Sequence, residues 1–311
     1  MGEFSMSLKL YQMNFKNAHF GNGYLNKANE TFEASRLYSA LFLEAQKMKK
    51  SEEFCKITNC ENFVISDAFP IINGVPFIPK PIGFPKVLKK RVSAQQLKKS
   101  RQNSKKVKKI DYISINKLDD YLNQNIDIEQ LYKEQMSLSQ KVLVGKVGDD
   151  PYNVEVSFMK VPLYVIMTES PLVNELMFSL QYSGLGGKRG EGYGKFKVKI
   201  DDIPSVLTKR LKFSSKGAMS EYWMALSTCY PQTDELENAL NGANYLLEKS
   251  SGYAFSLKEK KNHRKKDLYK FKAGSTFKYL FKGDIFDVRP EGFSHPVYNF
   301  SRGLFFRIGK E

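Results

Sequence analysis

Thirteen residues in the middle of the chain, Tyr182 to Gly194 (YSGLGGKRGEGYG), hold six glycines and the adjacent cations Lys188 and Arg189. Glycine has no Cβ, so such a run neither extends a helix nor packs well as a strand. It has to be a loop whose amides can approach another group closely. The flanks are regular. Pro171–Leu180 (PLVNELMFSL) puts proline in the first turn of a predicted helix, and Tyr193–Ile200 (YGKFKVKI) alternates as a strand. Any fold of this chain must therefore accommodate a unit of helix, bare loop and strand.

The same kinds of element open the chain. Tyr11, Met13 and Phe15 recur at period two, which predicts a half-buried strand. A turn-rich loop follows, Asn17-Ala18-His19-Phe20-Gly21-Asn22-Gly23. Ala34, Leu37, Leu41, Ala45 and Met48 then fall at helical spacing, with Glu30 and Glu33 expected in the first turn. Ser66–Pro85 contains five prolines and two glycines and reads as an irregular ordered segment or an edge hairpin. A helix is predicted around Leu118–Gln140, and a strand pair over Val154–Met167. After Pro204 the order starts again, with a strand in Met219–Tyr230, a helix over Asp234–Leu247, and alternating strands such as Tyr269-Lys270-Phe271-Lys272. Two β-α-β type units imply an α+β fold of two sandwiches. The first domain would span 6–200 with an insertion at about 70–150, and the second 201–311; Met1–Ser5, ahead of a second methionine, reads as an expression scar.

Charge narrows the partners. Lys and Arg exceed Asp and Glu by 49 to 33, a formal net charge of +16, which favours a polyanion. Eleven of the cations lie in Lys86–Lys109, a stretch without a single acid. Like charges at that density resist packing, so the block is expected to be a basic arm or hairpin tip. No run reaches the length of a membrane-spanning helix and no signal peptide is evident, so nucleic acid is preferred to a membrane and a cytoplasmic location is expected. Cys55, Cys60 and Cys229 are too few and too scattered for a disulfide framework, and with His19, His263 and His295 equally dispersed no metal site is expected.

The glycine loop fits neither familiar nucleotide pattern. A P-loop needs glycine where Tyr182 stands and Ser or Thr where Arg189 stands; a dinucleotide fingerprint finds Arg189 or Lys195 in place of its third glycine. No nucleotide cofactor is expected. What remains is a nest of amides with Lys188 and Arg189 for a nucleic-acid backbone, or a solvated turn. Lys258–Lys272 (KEKKNHRKKDLYKFK) interleaves cations with aromatics, a composition suited to stacking on unpaired bases, although Tyr269 and Phe271 also fit core positions of a strand. His19, in its glycine-flanked loop, is placed where an endoribonuclease could hold a general base.

Together these features resemble the RAMP superfamily of CRISPR proteins. YSGLGGKRGEGYGKF matches the superfamily's glycine-rich loop and lies between a helix and a strand as that family requires. More narrowly, the chain is similar to the Csm4-type family, the fourth subunit of the type III-A Csm interference complex. The residues behind this are Phe20-Gly21, Ala34 to Leu41 (ASRLYSAL), Ser66 to Pro70 (SDAFP), Phe77 to Pro81 (FIPKP), Lys105 to Lys109 (KKVKK) and His295 to Tyr298 (HPVY). The resemblance implies two tandem ferredoxin-like (RRM-like) domains with an inserted basic β-hairpin, the thumb. It implies a non-catalytic, RNA-binding ribonucleoprotein subunit in antiviral defence, which grips the repeat-derived 5′ handle of crRNA and joins the large polymerase-like subunit to the adjacent backbone RAMP subunit. Carried onto this sequence, handle contacts fall on His19, Gly21, Arg36, Ser183, Gly184, Gly186, Gly187, Lys188, Arg189, Gly190, Gly192 and Gly194. Pro79–Lys109 is the thumb candidate, with Lys80, Lys86, Arg91, Lys105 and Lys106 as contacts. The superfamily also includes crRNA-processing endoribonucleases, which would make His19 a general base; their glycine loop lies near the C-terminus, whereas this one has more than a hundred residues after it. A sequence-indifferent basic RNA chaperone is the third reading.

Overall fold

The structure, a computed structural model, describes residues 7–21, 23–85, 107–135, 138–146, 151–212, 222–254 and 263–308. Along the first half run Leu8–Phe15 (β1), Ala34–Lys47 (α1), Ser51–Asn59 (α2), Phe69–Ile72 (β2), Val75–Pro79 (β3), Tyr112–Ser114 (β4), Ser139–Lys146 (β5), Tyr152–Met159 (β6), Leu163–Thr168 (β7), Pro171–Ser183 (α3) and Phe196–Asp201 (β8). The second half contributes Leu211–Lys212 (β9), Tyr222–Ala225 (β10), Leu236–Leu240 (α4), Leu247–Ser250 (β11), Leu268–Phe271 (β12), Thr276–Phe277 (β13) and Phe305–Ile308 (β14). The mixture of helices and antiparallel sheets is α+β.

Six strands form one sheet in the order β8-β1-β7-β2-β3-β4. Its first four members, taken with α1 after β1 and α3 after β7, have the order of a β-α-β-β-α-β split unit. β1 is central, pairing antiparallel with β7 from Leu8↔Thr168 to Met13↔Leu163 and with β8 from Leu10↔Asp201 to Phe15↔Phe196. Alternation decides what each face meets. Tyr11, Met13, Phe15, Val165 and Met167 point to the α1 and α3 side, against Leu37, Leu41, Leu176 and Leu180. Leu10, Tyr164 and Ile166 point the other way and pack with Met224, Leu226, Leu304 and Phe306 of the second half. The second sheet, ordered β9-β14-β10-β13, thus covers the face on which an RNA-recognition fold would stack bases.

Several expectations change in detail. Glu30 and Glu33 are not in the first turn of α1; Glu33 sits at the N-cap, but its side chain makes no capping bond to the helix backbone. The cap comes from Asp67 of the SDAFP stretch, whose Oδ1 accepts from Ala34 N–H at 2.8 Å and from Thr228 N–H at 3.0 Å, while Oδ2 accepts from the Thr228 hydroxyl at 2.6 Å. One buried carboxylate therefore anchors α1 and ties the two halves together. Ser66–Pro85 is no irregular segment at its centre: Asn73 and Gly74, at φ +51° and +76°, make the tight turn of the β2–β3 hairpin inside the sheet. Val154–Met167 does contain two strands, yet they do not pair with each other, because β6 joins β5 and Asn17–Ala18 whereas β7 joins β1. The helix predicted over Leu118–Gln140 breaks into Leu118–Leu122 and Ile128–Gln135 around Gln124 at φ +61°, and from Ser139 the chain is strand. Asp234–Leu247 shortens to α4, with Gly242 at φ +68° just beyond it.

The predicted core strand around Lys270 is also rearranged. Tyr269 is 54% exposed, whereas Phe271 is buried and Lys270 is fully buried. The Lys270 ammonium donates to Glu33 Oε2 at 2.8 Å and to Ser35 Oγ at 3.3 Å, a second tie between α1 and the C-terminal half. Burial pushes the Glu33 carboxyl up, and the Lys270 ammonium, the Arg36 guanidinium and the Ser35 hydroxyl together outweigh it, leaving Glu33 below its usual range. All three cysteines are unpaired. Among the described residues, no helix is long and apolar enough to cross a membrane.

Candidate nucleic-acid interface

The glycine loop begins where α3 ends. Ser170 caps that helix by accepting from Val173 N–H at 3.1 Å, Pro171 occupies its first turn, and Gly184, at φ +79°, stops it. Three backbone bonds then shape the loop: Leu185 N–H to Gly194 O at 2.9 Å, Gly194 N–H to Asn17 O at 3.0 Å, and Gly187 N–H to His19 O at 2.9 Å. Bare backbone is required where the loop meets the His19 turn, since a Cβ on Gly186 would stand 2.7 Å from the His19 carbonyl oxygen. The structure thus brings together the two glycine-rich segments that lie far apart in sequence.

His19 is the keystone of that contact. Its ring is 4% exposed, and Nδ1 donates to the Glu155 carbonyl at 2.7 Å. The ring lies over Gly21, where an added Cβ would come 2.8 Å from Nε2. Arg36, on α1, donates from Nη2 to the Gly21 carbonyl at 2.5 Å. Burial lowers the Arg36 pKa, and Glu33 opposes the shift. His19, Gly21 and Arg36 therefore do belong with the glycine loop, but as its support rather than as its exposed surface.

The outward groups are the two cations. Lys188, at φ +57°, lies 4.4 Å from the Tyr152 ring centroid, donates to the Tyr152 hydroxyl at 2.5 Å and pairs with Glu191 at 3.4 Å. Hydrogen bonding to Tyr152 raises its pKa. Arg189 is partly exposed; its carbonyl accepts from Gly192 N–H at 3.0 Å, while its guanidinium has no hydrogen-bond or ion-pair partner among the described residues. Gly190 and Gly192 are open, with nothing within 4 Å of an added Cβ, and Ser183 accepts from Lys47 Nζ at 3.2 Å. On the sheet face next to the loop, Lys195, Lys197 and Lys199 are exposed while Phe196 is buried and Val198 and Ile200 are partly buried. Charge-bearing groups are thus displayed along the β8 edge and the loop that precedes it.

The thumb candidate fares differently. Lys86, Arg91, Lys105 and Lys106 lie outside the described residues. Lys80 is described: its ammonium donates to the Val107 carbonyl at 2.5 Å, and burial lowers its pKa. A long hairpin does stand beside the glycine loop, but it is β5–β6. Its pairing runs from Ser139↔Met159 to Lys146↔Tyr152, and it carries both Tyr152, the partner of Lys188, and Glu155, the partner of His19. Exposed Val142, Leu143 and Phe158 give it an apolar surface. The sequence does hold a signal for it, two alternating runs on either side of Gly148-Asp149-Asp150-Pro151.

A split β-α-β-β-α-β sheet whose last helix and strand are joined by a basic glycine loop is the architecture of a RAMP-type subunit. The family model described as the CRISPR Csm4 C-terminal domain matches residues 218–308. The CRISPR system Cms protein Csm4 of Streptococcus thermophilus is 43% identical over 307 residues, covering 97% of this chain and 99% of the relative. Its counterpart of Mycobacterium tuberculosis is 31% identical over 317 residues, covering 97% and 98%. Among solved structures, the fold is similar to that in the Csm3-Csm4 subcomplex of the type III-A CRISPR-Cas interference complex, with TM-score 0.65, 23% identity and coverage of 97% and 100%. It is also similar to that in a Csm1-Csm4 cassette in complex with cA4, with TM-score 0.57, 15% identity and coverage of 98% and 100%. The chain belongs to the Csm4 family of CRISPR proteins.

Proposed function

We propose that this chain is a non-catalytic RNA-binding subunit of a cytoplasmic type III-A Csm effector complex in antiviral defence, gripping the 5′ handle of crRNA. The observation that carries the reading is the glycine loop, which is folded onto His19 yet presents Arg189 and open amide backbone outward. Arg189 and Lys188 hold the phosphates, and the β5–β6 hairpin beside them takes the part of the thumb that divides handle from spacer. In its partners the subunit joins the large polymerase-like subunit to the adjacent backbone RAMP subunit, a reading supported by relatives solved with Csm3 and with Csm1.

The second half is a reduced ferredoxin-like domain in this account. The isolated bridge Asn244↔Thr276 adds an edge to β9-β14-β10-β13, so that β14, β10, β13 and the Asn244 edge follow the order of the first unit. Domain limits of 6–200 and 201–311 fit that division. An endoribonuclease is the weaker alternative, because a general base must reach its proton and the His19 ring is buried with Nδ1 committed to a carbonyl.

Incubation of the full-length chain with labelled RNAs, with and without a handle, followed by a denaturing gel tests the reading. Intact RNA and preference for the handle are expected. Cutting at a repeat position, lost in His19→Ala, would make the chain a nuclease, and equal binding of all RNAs would make it a chaperone.

A further inference from the structure

A groove of about 560 Å³ lies between α1, the short ribbon Tyr253–Ala254/His263–Arg264 and the stretch His295–Tyr298. Two features singled out in the sequence, the HPVY stretch and the aromatic-interleaved basic run, meet here. Phe42 and Tyr298 meet edge to face at 5.5 Å and 87° in its wall, and Tyr253 is 70% exposed. Lys265 also lines it, and its ammonium has no ion pair or hydrogen bond among the described residues. Burial lowers the Lys265 pKa, the like charges of Arg36 and Lys270 lower it further, and the Glu33 carboxylate opposes them. A partly buried cation whose opposite charge, Glu33, acts only at a distance gains from an anion bound directly to it, and the exposed aromatic lining the same groove offers a stacking face.

We propose that this groove takes one unpaired nucleotide of the bound RNA, its base stacked on Tyr253 and its phosphate on the Lys265 ammonium. The inference rests on the RNA-binding reading above and extends it beyond the glycine loop. Its size suits a small ligand, and a nucleotide supplies both a π face and a negative charge. The N-terminal turns of α1 connect the two places: Arg36 holds Gly21 beside His19 and the glycine loop, and Ser39, one turn on, lines the groove.

The test titrates the full-length chain with a fluorescent single-stranded RNA across a salt series, in wild type, Tyr253→Ala and Lys265→Met, with AMP as a second probe. Tyr253→Ala, a change at an exposed side chain, should weaken RNA binding about ten-fold and leave the salt slope unaltered. Lys265→Met should reduce the slope by about 0.7, the loss of one phosphate contact. Wild-type affinity and slope in both variants would overturn the groove while leaving RNA binding at the glycine loop intact. AMP binding that both variants lose, with RNA binding unchanged, would assign the groove to a free nucleotide and overturn the proposal too. A wild-type chain that binds no RNA would overturn both the groove and the reading on which it rests.

Discussion

Alanine in place of glycine at three positions of the loop separates what folds the loop from what it is folded for. Gly194 has φ +81°, and a Cβ there would lie 2.1 Å from the Leu185 carbonyl oxygen, whose own residue donates to Gly194 O. Left-handed backbone costs an L-residue roughly 1–2 kcal/mol, overlap in a packed site about 1–3 kcal/mol, and a lost hydrogen bond about 1 kcal/mol. Gly194→Ala should therefore destabilise by roughly 3–6 kcal/mol. Gly192, at φ +88° with open space around it, meets only the first of these costs. Gly190 has neither positive φ nor a neighbour within 4 Å, so Gly190→Ala should leave stability unchanged to within about 0.5 kcal/mol. At about 2 °C per kcal/mol, a thermal melt orders the series with Gly194→Ala lowest by several degrees. RNA affinity should follow a different order. A methyl at Gly190 stands where a phosphate would approach the backbone, so Gly190→Ala should weaken binding without lowering Tm. Equal melts for Gly190→Ala and Gly194→Ala would refute the packing argument, and unchanged RNA affinity in Gly190→Ala would refute the role given to the exposed backbone.

Other consequences are as specific. Replacing Lys188 and Arg189 together by alanine should cut the salt slope of RNA binding by about 1.4, two single-strand phosphate contacts; an unchanged slope would remove both residues from the interface. Lys270→Ala should cost about 3 kcal/mol, because it removes the direct ion-pair partner of Glu33 and leaves only the charge of Arg36 nearby, and Glu33→Gln added to it should recover part of the loss in a denaturant titration; no recovery would mean that the ion pair is not the source of the cost. Burial, and then the charge of Glu33, push the Asp67 carboxyl up to about 7. The folded chain thus holds a proton that the unfolded chain, with an ordinary value of about 3.9, has released. Stability from this group should fall as pH rises from about 4 to about 7 and level off above that. Asp67→Asn should flatten this part of a Tm profile, and a profile identical to wild type would place the pH dependence elsewhere.

What could be read from the sequence was what local rules decide. β1, α1 and α3 have clean periodicity, and α3 carries Pro171 in its first turn, so each was legible, although α1 begins at Ala34 rather than with Glu30 and Glu33 in its first turn. The glycine loop was legible as a loop, since its composition excludes helix and strand. Other features depended on partners distant in the chain. Asp67 caps α1 across 33 residues and bonds Thr228 across 161, which no window contains. Lys270 is buried because Glu33 meets it from α1, so an alternation that placed Tyr269 inside and Lys270 outside was overruled by one ion pair. His19 looked like a base because its neighbours are flexible, whereas the fold uses those glycines to bury it. The β5–β6 hairpin was missed for a different reason: a helix predicted through Gln140, and strands after Val154 paired with each other, leave the run Ser139–Lys146 without a strand. Tyr253 and Lys265 were hidden because the groove that joins them is made by three segments.

Recognition of the handle through the glycine loop, as proposed above, differs from mere attraction of polyanions in its dependence on RNA sequence. Competition binding at a single physiological salt concentration tests it most directly, with a labelled handle-bearing RNA displaced by unlabelled RNAs of equal length carrying either the handle or a scrambled one. The scrambled RNA should compete much more weakly against wild type, and the difference should collapse when Lys188 and Arg189 are both alanine. Equal competition by the two RNAs against wild type, or a preference that survives in the double variant, would contradict it.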